Sequence, residues 1–179
     1  MKDTVYLTGA TGFVGQMIVR QIEGDDSISK VYCPVRGKKG TSPGIDRFQT
    51  ILSRFSKCVF VQPEDSLPSD VTLLLLNAYN VKFFTPVEVL LRESVKPMVD
   101  ILDQVSHRTN SEARVRGITV VSTAYVQPPL PFIRDPENRV PFLLKGRYSA
   151  THLYERLLEG TTTWQDTIAE FGGKLDKHY

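Results

Sequence analysis

The feature that most constrains this chain is the run Val5-Tyr6-Leu7-Thr8-Gly9-Ala10-Thr11-Gly12-Phe13-Val14-Gly15. A short apolar stretch leads straight into three glycines spaced G-x-x-G-x-x-G. A helical apolar pattern follows, in Met17, Ile18, Val19 and Ile22. This strand–turn–helix setting is what a dinucleotide-binding loop requires. Gly9 permits the sharp turn off the strand, and Gly12 lets backbone approach a pyrophosphate with no Cβ in the way. Gly15 lets the helix lie close on the strand. The first helical amides, with the positive end of the helix dipole, then face the anion. Thr8, Thr11, Phe13 and Val14 complete the expected cofactor loop. A tight turn that holds no ligand is the alternative.

Beyond the loop, strand-like and helix-like segments alternate. Strands are expected over 3–8, 30–35, 57–62, 71–77 and 117–122, and helices over 12–23, 44–55, 85–105 and 148–159. Val71-Thr72-Leu73-Leu74-Leu75-Leu76 and Ile118-Thr119-Val120-Val121 are apolar almost throughout. Such strands belong to parallel sheets covered on both faces. The expectation is a doubly wound, Rossmann-type α/β sheet of order 3-2-1-4-5, with helices on both faces. Residues 1–159 read as the nucleotide-binding domain. Within it, 126–147 form a loop rich in proline: Pro128, Pro129, Pro131, Pro136 and Pro141. Residues 160–179 read as a helical tail, with Thr162 and Gln165 at capping-box spacing. No sixth strand is read, and little chain remains for a substrate domain.

A chain of 179 residues supports one domain with a real core. A net charge of +2 implies no general affinity for nucleic acid. No apolar run reaches transmembrane length. The first strand follows the N-terminus too closely for a signal peptide, so a cytoplasmic or cytosol-facing protein is expected. Cys33 and Cys58 lack metal-ligand spacing and read as reduced, buried thiols. Neither a Cys/His metal cluster nor a serine–histidine–acid arrangement is found.

Four blocks together carry a family likeness: Leu7 to Gly15; Val31-Tyr32-Cys33-Pro34-Val35-Arg36-Gly37-Lys38-Lys39-Gly40 with Arg47 following; Val81-Lys82-Phe83 with Pro86; and Val121-Ser122-Thr123-Ala124-Tyr125-Val126. The chain resembles the extended short-chain dehydrogenase/reductases. Within them it resembles the fatty acyl-CoA reductase branch, also called the male-sterility NAD-binding domain. The likeness spans residues 1 to about 158 and corresponds to the N-terminal, cofactor-binding part of that fold.

The resemblance implies NADPH as cofactor, and the residues agree. An acidic side chain at the end of the second strand would hold the ribose hydroxyls of NAD. Arg36, expected at that end, offers a planar fork of donors to a 2′-phosphate instead. Lys38, Lys39 and Arg47 add positive charge nearby. Asn77 and Ala78, after the fourth strand, fall beside the cofactor by the same resemblance. So does Asp65 or Glu64 toward the adenine, although a plain turn fits those two as well.

For catalysis, the resemblance implies that Ser122 or Thr123 polarises a carbonyl and that Tyr148 supplies a proton. The family's lysine, four residues after that tyrosine, is His152 here. A mostly neutral imidazole holds a tyrosinate poorly near neutral pH. Tyr79 is bulky where the family has a small residue, and Ser94 aligns with the family's asparagine. Pro97 should disturb the helix that carries it.

Two readings stay open from sequence. One is an NADPH-dependent reductase of acyl-CoA or a similar acyl thioester to aldehyde or alcohol, truncated or degenerate. The other is a non-catalytic NADPH-binding module or regulatory pseudoenzyme. A truncated copy of a longer reductase would expose its fifth-strand edge and self-associate there.

Overall fold

A computed structural model of the chain describes residues 2–37, 43–78, 86–109, 111–121, 150–163 and 166. The chain divides into two compact units. One comprises Met1–Val81 and Lys96–Ser122, and the other Lys82–Val95 and Thr123–Tyr179.

The first unit is built on β1 (Asp3–Leu7), α1 (Phe13–Glu23), β2 (Ile28–Pro34), α2 (Gly44–Leu52), β3 (Cys58–Val61) and β4 (Leu73–Leu76). The second unit contributes a short helix, α3 (Val87–Leu90), and a π-helical turn, Leu91–Val95. Back in the first unit follow α4 (Lys96–Ser106) and β5 (Gly117–Val120), and the second unit adds α5 (Ala150–Glu159). The five strands form one sheet of order β3-β2-β1-β4-β5, and every neighbouring pair is parallel. The doubly wound order expected from the alternation of elements is the order found.

All five residues of β1 are buried, as a central strand demands. Their side chains alternate between two cores. Val5 and Leu7 join Val19, Ile22, Val31, Cys33, Phe48 and Leu52, so α1 and α2 cover that face. Tyr6 joins Leu67, Val71, Leu74 and Leu76 on the other face, where Met98, Ile101, Leu102 and Val105 of α4 pack. Burial pushes the Tyr6 phenol up to about 12, so it stays neutral in the core. At the edge, Ile118 and Val120 of β5 and Val121 just after it are exposed.

Asp3, at the amino edge of β1, ties three strands. Its carboxylate accepts from Nε of Arg116 (2.9 Å) and from the Thr72 hydroxyl (2.8 Å), and it also pairs with the second arm of the Arg116 guanidinium. The Thr4 amide donates to Thr72 Oγ1 at 3.0 Å.

Several boundaries differ from expectation. β4 is shorter than 71–77, because Val71 and Thr72 belong to the approach rather than the ladder. The single helix expected over 85–105 is resolved into α3, the π-helical turn and α4. The π-helical turn ends two residues before Pro97, whose nitrogen has no proton to close an ordinary helical bond back to Glu93. In the second unit, α5 packs on this π-helical turn.

α5 ends at Gly160, which takes a left-handed φ of +71°. The Thr161 amide then donates back to Arg156 O at 3.0 Å. The capping box lies one residue later than expected. Thr163 N–H donates to Asp166 Oδ2 (3.1 Å) and Asp166 N–H to Thr163 Oγ1 (3.1 Å). Thr162 is instead buried, and Gln165 lies outside the described residues. Among the described residues no helix is long and apolar enough to cross a membrane.

Candidate nucleotide site

The site is assembled where β1 and β4 end. The Thr8 amide donates to Leu75 O at 3.0 Å, carrying the ladder one residue past β1. The Thr8 hydroxyl accepts the next two amides of the neighbouring strand end, Asn77 N–H at 2.8 Å and Ala78 N–H at 3.0 Å. Gly9 then turns with φ +69°. A Cβ on Gly9 would sit 2.8 Å from Asn77 O and 3.1 Å from Ala78 Cα. Both the conformation and the close approach therefore require glycine here.

The loop closes with Gly12 N–H donating to Gly9 O at 2.9 Å. Gly12 is extended (φ −76°, ψ 171°) and caps α1 with no side-chain hydrogen bond. The first bond of the helix runs from Gln16 N–H to Gly12 O, at 3.0 Å. The amides of Phe13, Val14 and Gly15 precede that bond, so helix geometry leaves them without an intrahelical acceptor. No acidic side chain occupies the first turn. This donor-rich end suits an anion such as a pyrophosphate.

Gly15 is buried against the loop. A Cβ there would overlap Gly9 O and lie 2.7 Å from Ala10 Cα. Phe13 and Val14 turn outward and are exposed, Phe13 at 82%. Gln16 Nε2 donates to Thr11 O at 3.1 Å, holding the loop to the helix from outside. The structure thus brings Thr8, Gly9, Thr11, Gly12, Phe13, Val14, Gly15, Asn77 and Ala78 together.

β2 ends at Pro34, so Arg36 stands two residues beyond the strand rather than at its end. It is exposed. The segment before it is held firmly. Val35 N–H donates to Val61 O at 3.4 Å, and Val35 O faces Gly44, the first residue of α2. A Cβ on Gly44 would collide with that carbonyl and lie 3.3 Å from Gly37 N. Gly44 is a positioning residue that the sequence reading missed; the Pro43-Gly44 pair ahead of a helix was the available signal. Arg47, on α2, is half-buried. Lys38 and Lys39 lie outside the described residues.

After β3, Asp65 closes its own turn. Its Oδ2 accepts Gln62 N–H (3.0 Å), and its amide donates to Gln62 O (3.1 Å). Glu64 is exposed. The turn reading accounts for both residues.

Of the residues expected to act on a substrate, Ser122, Thr123 and Tyr148 lie outside the described residues, as does Tyr79. His152 lies on α5, and its side chain is likewise outside them. Ser94 is buried within the π-helical turn of the second unit. No group of three or more His, Cys, Asp or Glu among the described residues could hold a metal ion.

Comparison with known proteins follows the same outline. Residues 7–59, from the end of β1 into β3, match an NAD-binding family described as male sterility protein. The non-reducing polyketide synthase pkdA of Emericella nidulans is 27% identical over 186 residues, covering 88% of this chain and 8% of the synthase. Among solved structures, the terminal R domain from the myxalamid PKS-NRPS biosynthetic pathway superposes with a TM-score of 0.54 at 23% identity. That match covers 71% of this chain and 36% of the domain. The PhqB reductase domain of Penicillium fellutanum gives 0.50 at 18% identity, covering 98% of this chain and 46% of the domain. The resemblance to the male-sterility NAD-binding family therefore holds over residues 7–59, and the parallel-sheet fold is shared with these two solved domains. The chain spans less than half the length of each of these proteins.

Proposed function

We propose that this chain is the nucleotide-binding part of an NADPH-dependent reductase that acts on an acyl thioester. The observation that carries the reading is the anion-ready amino end of α1, set beside the Thr8-braced ends of β1 and β4. The family match over residues 7–59 supports an NAD(P) dinucleotide as the anion. Arg36, exposed just past β2, supports NADPH over NADH, since a guanidinium can pair with the 2′-phosphate bidentately.

The first-turn amides of α1 hold the pyrophosphate, Gly12 admits it, and the Gly9–Asn77 contact fixes the floor of the site. Bound NADPH supplies hydride. By the family resemblance, Ser122 or Thr123 would polarise the carbonyl whose carbon receives the hydride, and Tyr148 would deliver a proton to its oxygen. Fatty acyl-CoA is the thioester inferred from the sequence blocks. The similarity to a polyketide synthase and to a PKS-NRPS terminal domain extends the class to thioesters made by such assembly lines.

A second reading, a binding module without turnover, is favoured by His152 at the family's lysine position and by Ser94 at its asparagine position. An ammonium lowers the pKa of a neighbouring phenol and binds ribose hydroxyls, and a neutral imidazole does less of both. The test follows NADPH oxidation with a long-chain acyl-CoA, for the natural chain and for His152→Lys. Turnover by the natural chain supports the reductase. Tight NADPH binding with no turnover in either protein supports the module.

A further inference from the structure

β2 and β3 are in parallel register with Val31 opposite Cys58 and Cys33 opposite Phe60. The two cysteines therefore project from the same face as diagonal neighbours, and both pack in the core beneath α1 and α2. Cys33 is fully buried. Its thiol leans back along β2 toward Val31 O, at 3.7 Å, which is the register level of Cys58. With Cys33 as its neighbour the Cys58 thiol is held below the usual thiol range, while Cys58 beside it and burial push the Cys33 thiol up. Cys58 is half-buried, and both cysteines are free.

We propose that Cys33 and Cys58 are a redox-responsive dithiol, oxidised by a peroxide to an intramolecular disulfide that weakens the nucleotide site. Cys58 gives up its thiol proton as its sulfur attacks one oxygen of hydrogen peroxide, the O–O bond breaks, Cys58 becomes a sulfenic acid, and the departing hydroxide takes that proton and leaves as water. Cys33 sulfur then attacks the Cys58 sulfur, the S–O bond breaks, and a second water leaves with the Cys33 proton. Two thiols lose two electrons and two protons in all, and the peroxide takes them up. In a parallel pair, with about 4.8 Å between strands and about 3.3 Å of rise per residue, residues offset by two sit about 8 Å apart at Cα, beyond the usual span of a disulfide. Closing the bond must therefore draw β2 and β3 against each other. Cys33 is followed by Pro34, Val35 and Arg36, and Val35 is pinned between Val61 and Gly44. The strain falls on the segment that presents Arg36. The coupling to cofactor rests on the nucleotide reading above, and formation of the bond does not.

The experiment treats the full chain with hydrogen peroxide and follows intact mass, free thiols and NADPH affinity before and after dithiothreitol. The expected result is loss of two hydrogens in mass and of both free thiols. NADPH affinity should fall several-fold and return on reduction. Cys33→Ala and Cys58→Ser should each abolish the mass change and the affinity change, and the second, at a half-buried position, guards against a folding defect in the first. Persistence of both thiols, or overoxidation of Cys58 with Cys33 still free, overturns the dithiol. A disulfide that leaves NADPH affinity unchanged overturns the coupling. A disulfide in a chain that binds no NADPH when reduced keeps the dithiol and overturns the nucleotide reading.

Discussion

The hydroxyl of Thr8 accepts the amide of Asn77 at 2.8 Å, a contact made across sixty-nine positions of sequence. With the adjoining bond from Ala78, it fixes how far β4 stands from the glycine turn, and so whether Gly9 can approach Asn77 O. Thr8→Val removes one acceptor from two partly buried donors. The expected loss is about 1–3 kcal/mol of stability, with weaker NADPH binding. Thr8→Ser keeps the oxygen and should retain most of both. Urea denaturation and calorimetry on the two variants check this, and equal behaviour of valine and serine would remove Thr8 from the site.

Gly12 and Gly15 should separate binding from folding. A Cβ on Gly15 runs into the backbone of Gly9 and Ala10, so α1 must shift. Gly15→Ala should cost about 1–3 kcal/mol of stability, the range for forced overpacking. On Gly12 the Cβ meets only Gly9 O, at 3.2 Å. Gly12→Ala should fold with little loss and bind nucleotide poorly, because the methyl stands where the anion approaches. Thermal melts beside titrations with NADPH distinguish the two outcomes.

Asp3 predicts an acid limb in the stability curve. The Arg116 and Thr72 hydrogen bonds hold its carboxyl below the usual range, so the folded pKa lies under the unfolded one. Its contribution is therefore complete above the unfolded value, about 3.9, and is lost as pH falls through the folded value. Asp3→Asn should lower Tm at pH 7 and flatten the fall of Tm below pH about 4. A parallel Tm–pH profile for the two proteins would show that the triad carries no such linkage.

The sheet order was legible because continuous apolar strands between amphipathic helices admit few parallel topologies, and the glycine triplet marks β1. The loop residues were legible for the same reason: each glycine answers a steric demand that only a strand–turn–helix creates. Close approaches between distant segments were not legible. Gly44 is required by Val35 O, a neighbour that no periodicity reveals. The π-helical turn escaped because Leu91, Val95 and Met98 also fit an ordinary helical stripe. The capping box slipped by one residue because Thr162 with Gln165 and Thr163 with Asp166 present overlapping frames, and the carboxylate won.

The central claim, an NADPH site at the glycine loop with Arg36 reading the 2′-phosphate, is tested most directly by isothermal titration of the full chain with NADPH and NADH. NADPH should bind one per chain and more tightly than NADH. Arg36→Ala should forfeit about 1.5–3 kcal/mol of NADPH affinity, the worth of a charge-assisted hydrogen bond, and leave NADH binding unchanged. Equal or tighter binding of NADH by the natural chain would contradict the role of Arg36, and failure to bind either dinucleotide would contradict the site itself.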